Sequence, residues 1–184
     1  VTVFSIGVEI KEGTSRQWLK KGNKSILTSL VGKLLPQTII WFIVGMFILT
    51  YLYGYLSYPC NSGIFPMILG MCGLILASQG LGIFMFGILP TLRLGLSSAS
   101  LWGVLAFSIT GFSFPVMAMH PTLQALSNLF PLRHYFLIYV NQALNGYPMA
   151  YAWVNYVALL LFMVAPFLVL KRLHHALIYY KHIP

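Results

Sequence analysis

The sequence predicts an all-α fold, a polytopic membrane helix bundle, and three observations carry that reading. Of 184 residues, 59% are hydrophobic and only 7% charged, whereas a soluble domain carries about 25% charged residues. The apolar residues fall into runs of about 20, the length a helix needs to cross a bilayer. The charge is one-sided: 11 Lys and Arg stand against two acidic residues, Glu9 and Glu12, for a net charge of +9. These basic residues flank apolar runs, which fits membrane topology and lipid head groups. The basic–aromatic interleaving of a nucleic-acid surface is absent, so no nucleic-acid partner is expected.

Residues 1–8 read as the tail of a membrane helix too short to span, which suggests that more chain precedes Val1. Residues 9–35 hold both acidic residues and six basic ones, Lys11, Arg16, Lys20, Lys21, Lys24 and Lys33. Within them, Thr14 or Ser15 caps a short helix that Gly22 ends. Residues 25–35 are apolar enough to lie on the membrane or to lead into the next span. The first full span is 36–57, with Pro36 at its start, where a missing N–H costs nothing. Tyr51, Tyr53, Tyr55 and Tyr58 crowd its far end, as interfacial aromatic residues do.

The second full span is 65–89. Its glycines at 70, 73, 80, 82 and 87 let neighbouring helices approach closely, which places it in the middle of the bundle. Gln79 is its single polar group and reads as an interhelical hydrogen bond. Residues 90–97 form a short loop with Arg93, and 98–119 the third span, interrupted at Phe114-Pro115. Residues 120–146 are too polar for a span and too apolar for a free loop. They read as two short helices that dip into the membrane or lie on it, which requires protein or water around them. The last span is 150–170, bent at Pro166, and a basic, aromatic tail of 171–184 follows. Cys60 and Cys72 would lie about 18 Å apart along a helix, too far for a disulfide.

Because spans alternate sides, the loops fall into two sets. Segments 9–35 and 90–97 and the tail share ten of the 11 Lys and Arg, and the opposite side holds only Arg133. Lys and Arg in short loops stay in the cytosol. This predicts a multi-pass protein of the inner, cytoplasmic membrane with its C-terminus in the cytosol.

Three stretches resemble the permease subunit of type-2 ABC exporters, the ABC-2 family. VEIKEGTSRQWL (8–19) matches the family's Glu-x-x-Glu-Gly-Thr turn after its second helix. FPVMAMHPTLQALSNLFPLRHY (114–135) is similar to its proline-punctuated segment after the fifth, although Met119-His120-Pro121 stands where the family often has Met-Pro. A last helix and a short basic tail follow. On this resemblance the chain runs from the end of helix two (1–8) through a cytosolic coupling segment (9–35), helices three to five (36–57, 65–89, 98–119), an extracytoplasmic re-entrant segment (120–146) and helix six (150–170) to a cytosolic tail (171–184).

The resemblance implies a subunit without catalysis of its own, working with a second permease subunit, as homo- or heterodimer, and with an ABC ATPase subunit that carries ATP and Mg²⁺. It implies that Glu9, Glu12, Gly13, Thr14, Arg16 and Trp18 couple to the ATPase, and that Phe112, Phe114, Pro115, Met117, Met119 and Tyr135 form the outer gate. The residues themselves agree on one point: there is no phosphate-cradling Gly-x-x-x-x-Gly-Lys run and no Asp anywhere. No metal spacing appears, and no cofactor of its own is expected. Two other classes stay open. An intramembrane enzyme would have to work from His120, His134, His174, His175 or His182 without an outward-facing carboxylate. A coupled carrier would need an ionisable residue inside a span, and the spans as drawn hold no Asp, Glu, Lys, Arg or His; a passive pore would not need one.

Overall fold

The computed structural model describes residues 1–22, 25–111 and 114–179; Lys24, Phe112, Lys181 and His182 lie outside them. Among the described residues all regular structure is helical. In order come α1 (Thr2–Lys11), α2 (Ser15–Lys21), α3 (Ile26–Leu49), α4 (Ile64–Ile88), α5 (Leu92–Ile109), α6 (Pro121–Ser127), α7 (Pro131–Ile138), α8 (Met149–Val164) and α9 (Leu170–Tyr179). Two π-helical turns, Thr50–Tyr55 and Tyr139–Leu144, extend α3 and α7, and 3-10 turns occupy Val116–Ala118 and Ala165–Leu168. The last of these contains Pro166, the expected bend.

Four stretches are long and apolar enough to cross a membrane: Ile26–Tyr55, Ile64–Ile88, Leu92–Ile109 and Met149–Leu168. Of their windows, 44% of α4 is buried against 11% of α3, 11% of α5 and 22% of α8, so α4 is the central helix. The glycines expected to do this do so. A Cβ on Gly80 would run into the Phe162 carbonyl of α8, and one on Gly87 would lie 2.6 Å from Val169. The outward faces carry Ile39, Ile43, Phe47, Leu101, Val104, Leu160 and Leu161, all exposed. Such a surface fits lipid rather than water.

Three boundaries differ from the sequence reading. The first span begins at Ile26, and Pro36 lies inside the helix. Leu30 and Leu34 are buried in a cluster with α1, α2 and α9, and Lys33 pairs with Glu9; these contacts hold residues 26–35 helical. A membrane helix can run through a proline when its freed groups find other partners. Residues 90–97 are mostly helix, because Gly95 packs against Val3 and Phe86, each 3.0 Å from where its Cβ would sit. The helices therefore take in Lys33 and Arg93. The third span ends at Ile109, ten positions early, because Gly111 turns the chain at φ +105°.

Two clusters divide the core. One joins Ile6 and Ile10 of α1, Leu19 of α2, Phe86 of α4, and Leu173 and Leu177 of α9. The other joins Leu49, Met67 and Met71 with Ile138, Ala152 and Leu159. The first end holds Glu9, Arg16, Lys20, Lys21, Lys33, Lys171 and Arg172 and is called the basic end below. Both cysteines are free thiols.

Candidate functional site

The turn between α1 and α2 is built around one carboxylate. Gly13 sits at φ +71°, a conformation that costs glycine little and other residues more. The turn brings Thr14 back beneath α1, where its hydroxyl donates to Glu9. Lys33 of α3 donates to the other Glu9 oxygen. Burial pushes the Glu9 carboxyl up, but the hydrogen bonds from Lys33 and Thr14 and the charges of Lys33 and Lys21 pull it below the usual carboxylate value. The Lys33 ammonium also lies 5.1 Å from the Trp18 ring centroid, within cation–π reach. One lysine thus ties α1, α2 and α3 together.

The underside of α2 rests on α9. Ser15 is buried and its hydroxyl donates to the Leu177 carbonyl at 2.7 Å. Arg16 Nη2 donates to the Ile178 carbonyl at 3.2 Å. Leu19 is buried with Leu173 and Leu177. α9 suits this position: Leu173, Ala176 and Leu177 are buried while Lys171, Arg172 and His175 are exposed. The other face of the segment, with Glu12, Gly13, Gln17 and Lys20, is exposed.

Of the residues expected to couple to a partner, Glu9, Thr14 and Arg16 are therefore bonded within the chain and Trp18 is half-buried. Glu12 and Gly13 face outward, and Arg16 is exposed while holding its bond to α9. Sequence reasoning missed Ser15, Leu19, Lys33 and α9 as the mount of this surface. Their contacts span 24 to 162 positions, beyond any local pattern. The amphipathic spacing of 171–179 was the signal that could have found α9.

The expected gate residues divide. Phe114, Pro115 and Met117 are exposed and Met119 is half-buried, at the end of the bundle away from α2. Tyr135 instead packs inward beside Gly70 and Ile138. Phe112 lies outside the described residues. A cavity of about 510 Å³ opens between α1, α3, α4 and α5, lined by Gln37, Trp41, Ser78, Gln79, Met85 and Trp102 among others, and by none of the described gate residues. Thr38 donates to Gln79 Oε1 at 3.0 Å, so Gln79 does join two helices. Gln37 likewise donates to Thr2 at 3.0 Å.

His134 is buried between helices, with Nδ1 3.2 Å from Asn155 Oδ1 and Nε2 2.9 Å from the Asn128 carbonyl. Nδ1 ties α7 to α8 and Nε2 ties it to the end of α6, and among the described residues no acid faces them. Among the described residues no three His, Cys, Asp or Glu side chains gather in one place.

The profile of a family described as "ABC-2 family transporter protein" matches residues 2–170 of the chain. No curated protein and no solved structure matches it.

Proposed function

Since the chain belongs to the ABC-2 family of transporters, we propose that it is the permease subunit of an ATP-driven exporter and that a separate ATPase subunit docks on α2. It is a multi-pass membrane permease of an ABC transporter; the docking site, the export direction and the orientation are the further steps.

The observation that carries the docking site is the pairing of a rigid mount with an open face. A force applied to Glu12, Gly13 and Arg16 passes through Ser15 and Leu19 to α9, and through the Glu9–Lys33 pair to α3. Both α1 and α9 pack on the central α4. A loosely tethered loop would absorb such a movement; a helix bonded to three others transmits it. Glu12 offers a carboxylate for a basic residue of the partner, and such charge-assisted bonds are strong and directional.

The basic end then faces the cytosol, because segments 9–35, 90–97 and 171–184 carry ten of the 11 Lys and Arg. This orientation puts the C-terminus in the cytosol of an inner, cytoplasmic membrane. Phe114, Met117 and Met119 stand at the opposite mouth, where flexible methionines suit varied cargo. A second permease subunit, identical or a sister, completes the pathway, and ATP and Mg²⁺ act on the ATPase.

Co-purification tests the reading. The full-length permease is expected to retain an ATPase subunit, and Glu12→Lys to weaken that association while the chain still inserts. Retention and ATPase activity unchanged in both Glu12→Lys and Gly13→Val would overturn the docking assignment.

A further inference from the structure

α5 is held at its two ends by different parts of the molecule. At its start it lies tightly against α1. A Cβ on Gly7 would fall 2.6 Å from Leu92, and one on Gly95 would fall 3.0 Å from both Val3 and Phe86. Helices that approach this closely interlock rather than slide. At its other end, Nη1 of Arg133, from α7, donates to the Thr110 carbonyl at 3.1 Å. Thr110 closes α5. The last carbonyls of a helix lack helical partners and form the negative end of its dipole, which a guanidinium suits. Nearby, Trp102 of α5 packs on Phe130, with ring centroids 4.8 Å apart.

The rest of α7 belongs to a separate body. The next residue, His134, reaches the other way, to Asn155 of α8. Tyr135 and Ile138 pack against Gly70 of α4. The loops around this body are bonded as well. The Asn61 and Ser62 amides donate to the Ala143 and Gln142 carbonyls at 3.2 Å each, and Asn61 Nδ2 donates to the Leu144 carbonyl at 2.7 Å. The outer ends of α4, α7 and α8 are thus interlocked, and Arg133 fastens α5 to them. Arg133 also lines a concavity with Val116 and Met117, at the outer mouth.

We propose that Arg133 is a positioning residue for transport, the joint through which α5 passes a movement of α2 to the outer mouth. The inference rests on the docking site proposed above. α1 leads from the Gly13 turn to α5, so a displacement of α2 reaches α5 through the contacts at Gly7 and Gly95. Arg133 then carries it to α7 and to the mouth beside Met117.

The test uses the full-length permease with its ATPase subunit in lipid bilayers. A photocrosslinking residue at Gln17 reports docking. Met117→Cys, labelled with a maleimide and quantified by mass spectrometry, reports the mouth. With Arg133 in place, ATP is expected to change the labelling rate at 117 about fivefold or more, a usual size for coupling between sites. In Arg133→Met the change is expected to fall below about twofold while the crosslink from 17 persists, because the donor is lost and the stem is kept. Arg133→Lys, which can donate to the same carbonyl, is expected to restore it; a merely structural defect would not follow the charge in this way. A full ATP response in Arg133→Met with the crosslink intact would overturn the inference alone. No crosslink from 17 with Arg133 in place would overturn the docking site and the inference with it. Should Arg133→Met fail to fold, hydrogen exchange in the wild-type complex decides. ATP is expected to change protection in α5 and to leave α8 as it was, and a change in α8 with none in α5 would refute the joint.

Discussion

The Ser15 hydroxyl of α2 donates to the Leu177 carbonyl of α9 at 2.7 Å, joining residues 162 positions apart at a buried contact. Removing it leaves a buried helical carbonyl one partner short, at a cost of about 1 kcal/mol. Ser15→Ala is therefore expected to lower thermal stability in detergent slightly and to speed hydrogen exchange in α2. Exchange in α4, which the bond does not touch, is expected to stay as in wild type. Equal acceleration throughout the bundle would show that α9 does not act as a local mount.

Glu9 gives the basic end a pH dependence of definite sign. Its carboxyl is held below the usual value, so the folded state binds that proton less tightly than the unfolded one. The stabilisation is complete above the unfolded value of about 4.3 and is lost as pH falls through the lower folded value. A thermal-stability profile is expected to drop below about pH 4.3 in wild type. Glu9→Gln is expected to be less stable at neutral pH and to lack that part of the drop. Identical profiles would mean that the Glu9–Lys33 pair contributes nothing.

Gly80 marks the closest approach of the central helix to α8, where a Cβ would meet the Phe162 carbonyl. Gly80→Val is expected to destabilise the protein by about 2 kcal/mol or more and to broaden its size-exclusion profile. Gly32→Ala is the matched control, since nothing lies within 4 Å of that position; it is expected to be neutral or mildly stabilising.

His134 has both ring nitrogens bonded within the bundle. His134→Ala is expected to cost about 1–3 kcal/mol of stability through the unpaired groups it leaves. Loss of a nucleotide-independent catalytic activity in a variant of wild-type stability would instead support the intramembrane enzyme.

Much of the layout was legible because lipid imposes a simple rule: an apolar run of fixed length must be a helix. α4 was legible to within one residue at each end, and its glycines marked it as central. The extent of α2 was legible, but neither expected cap forms: Thr14 bonds Glu9 and Ser15 bonds Leu177; the bend at Pro166 was legible from the proline. The starts of α3 and α5 were not, because Pro36 and Pro90 signal boundaries locally while Leu30, Leu34 and Gly95 are held by distant helices. The candidate site was half legible. Its motif, from Glu9 to Trp18, lies in one short stretch. Which of its residues are spent on internal bonds depends on Lys33 and α9, and hydropathy cannot pair side chains across the fold.

Placing a photocrosslinking residue at Gln17, on the exposed face of α2, and separately at Met117, at the opposite mouth, tests the central claim most directly. With the ATPase subunit present, a crosslink to it is expected from position 17 and none from position 117. A crosslink from 117, or none from 17 in a complex that hydrolyses ATP, would contradict the account.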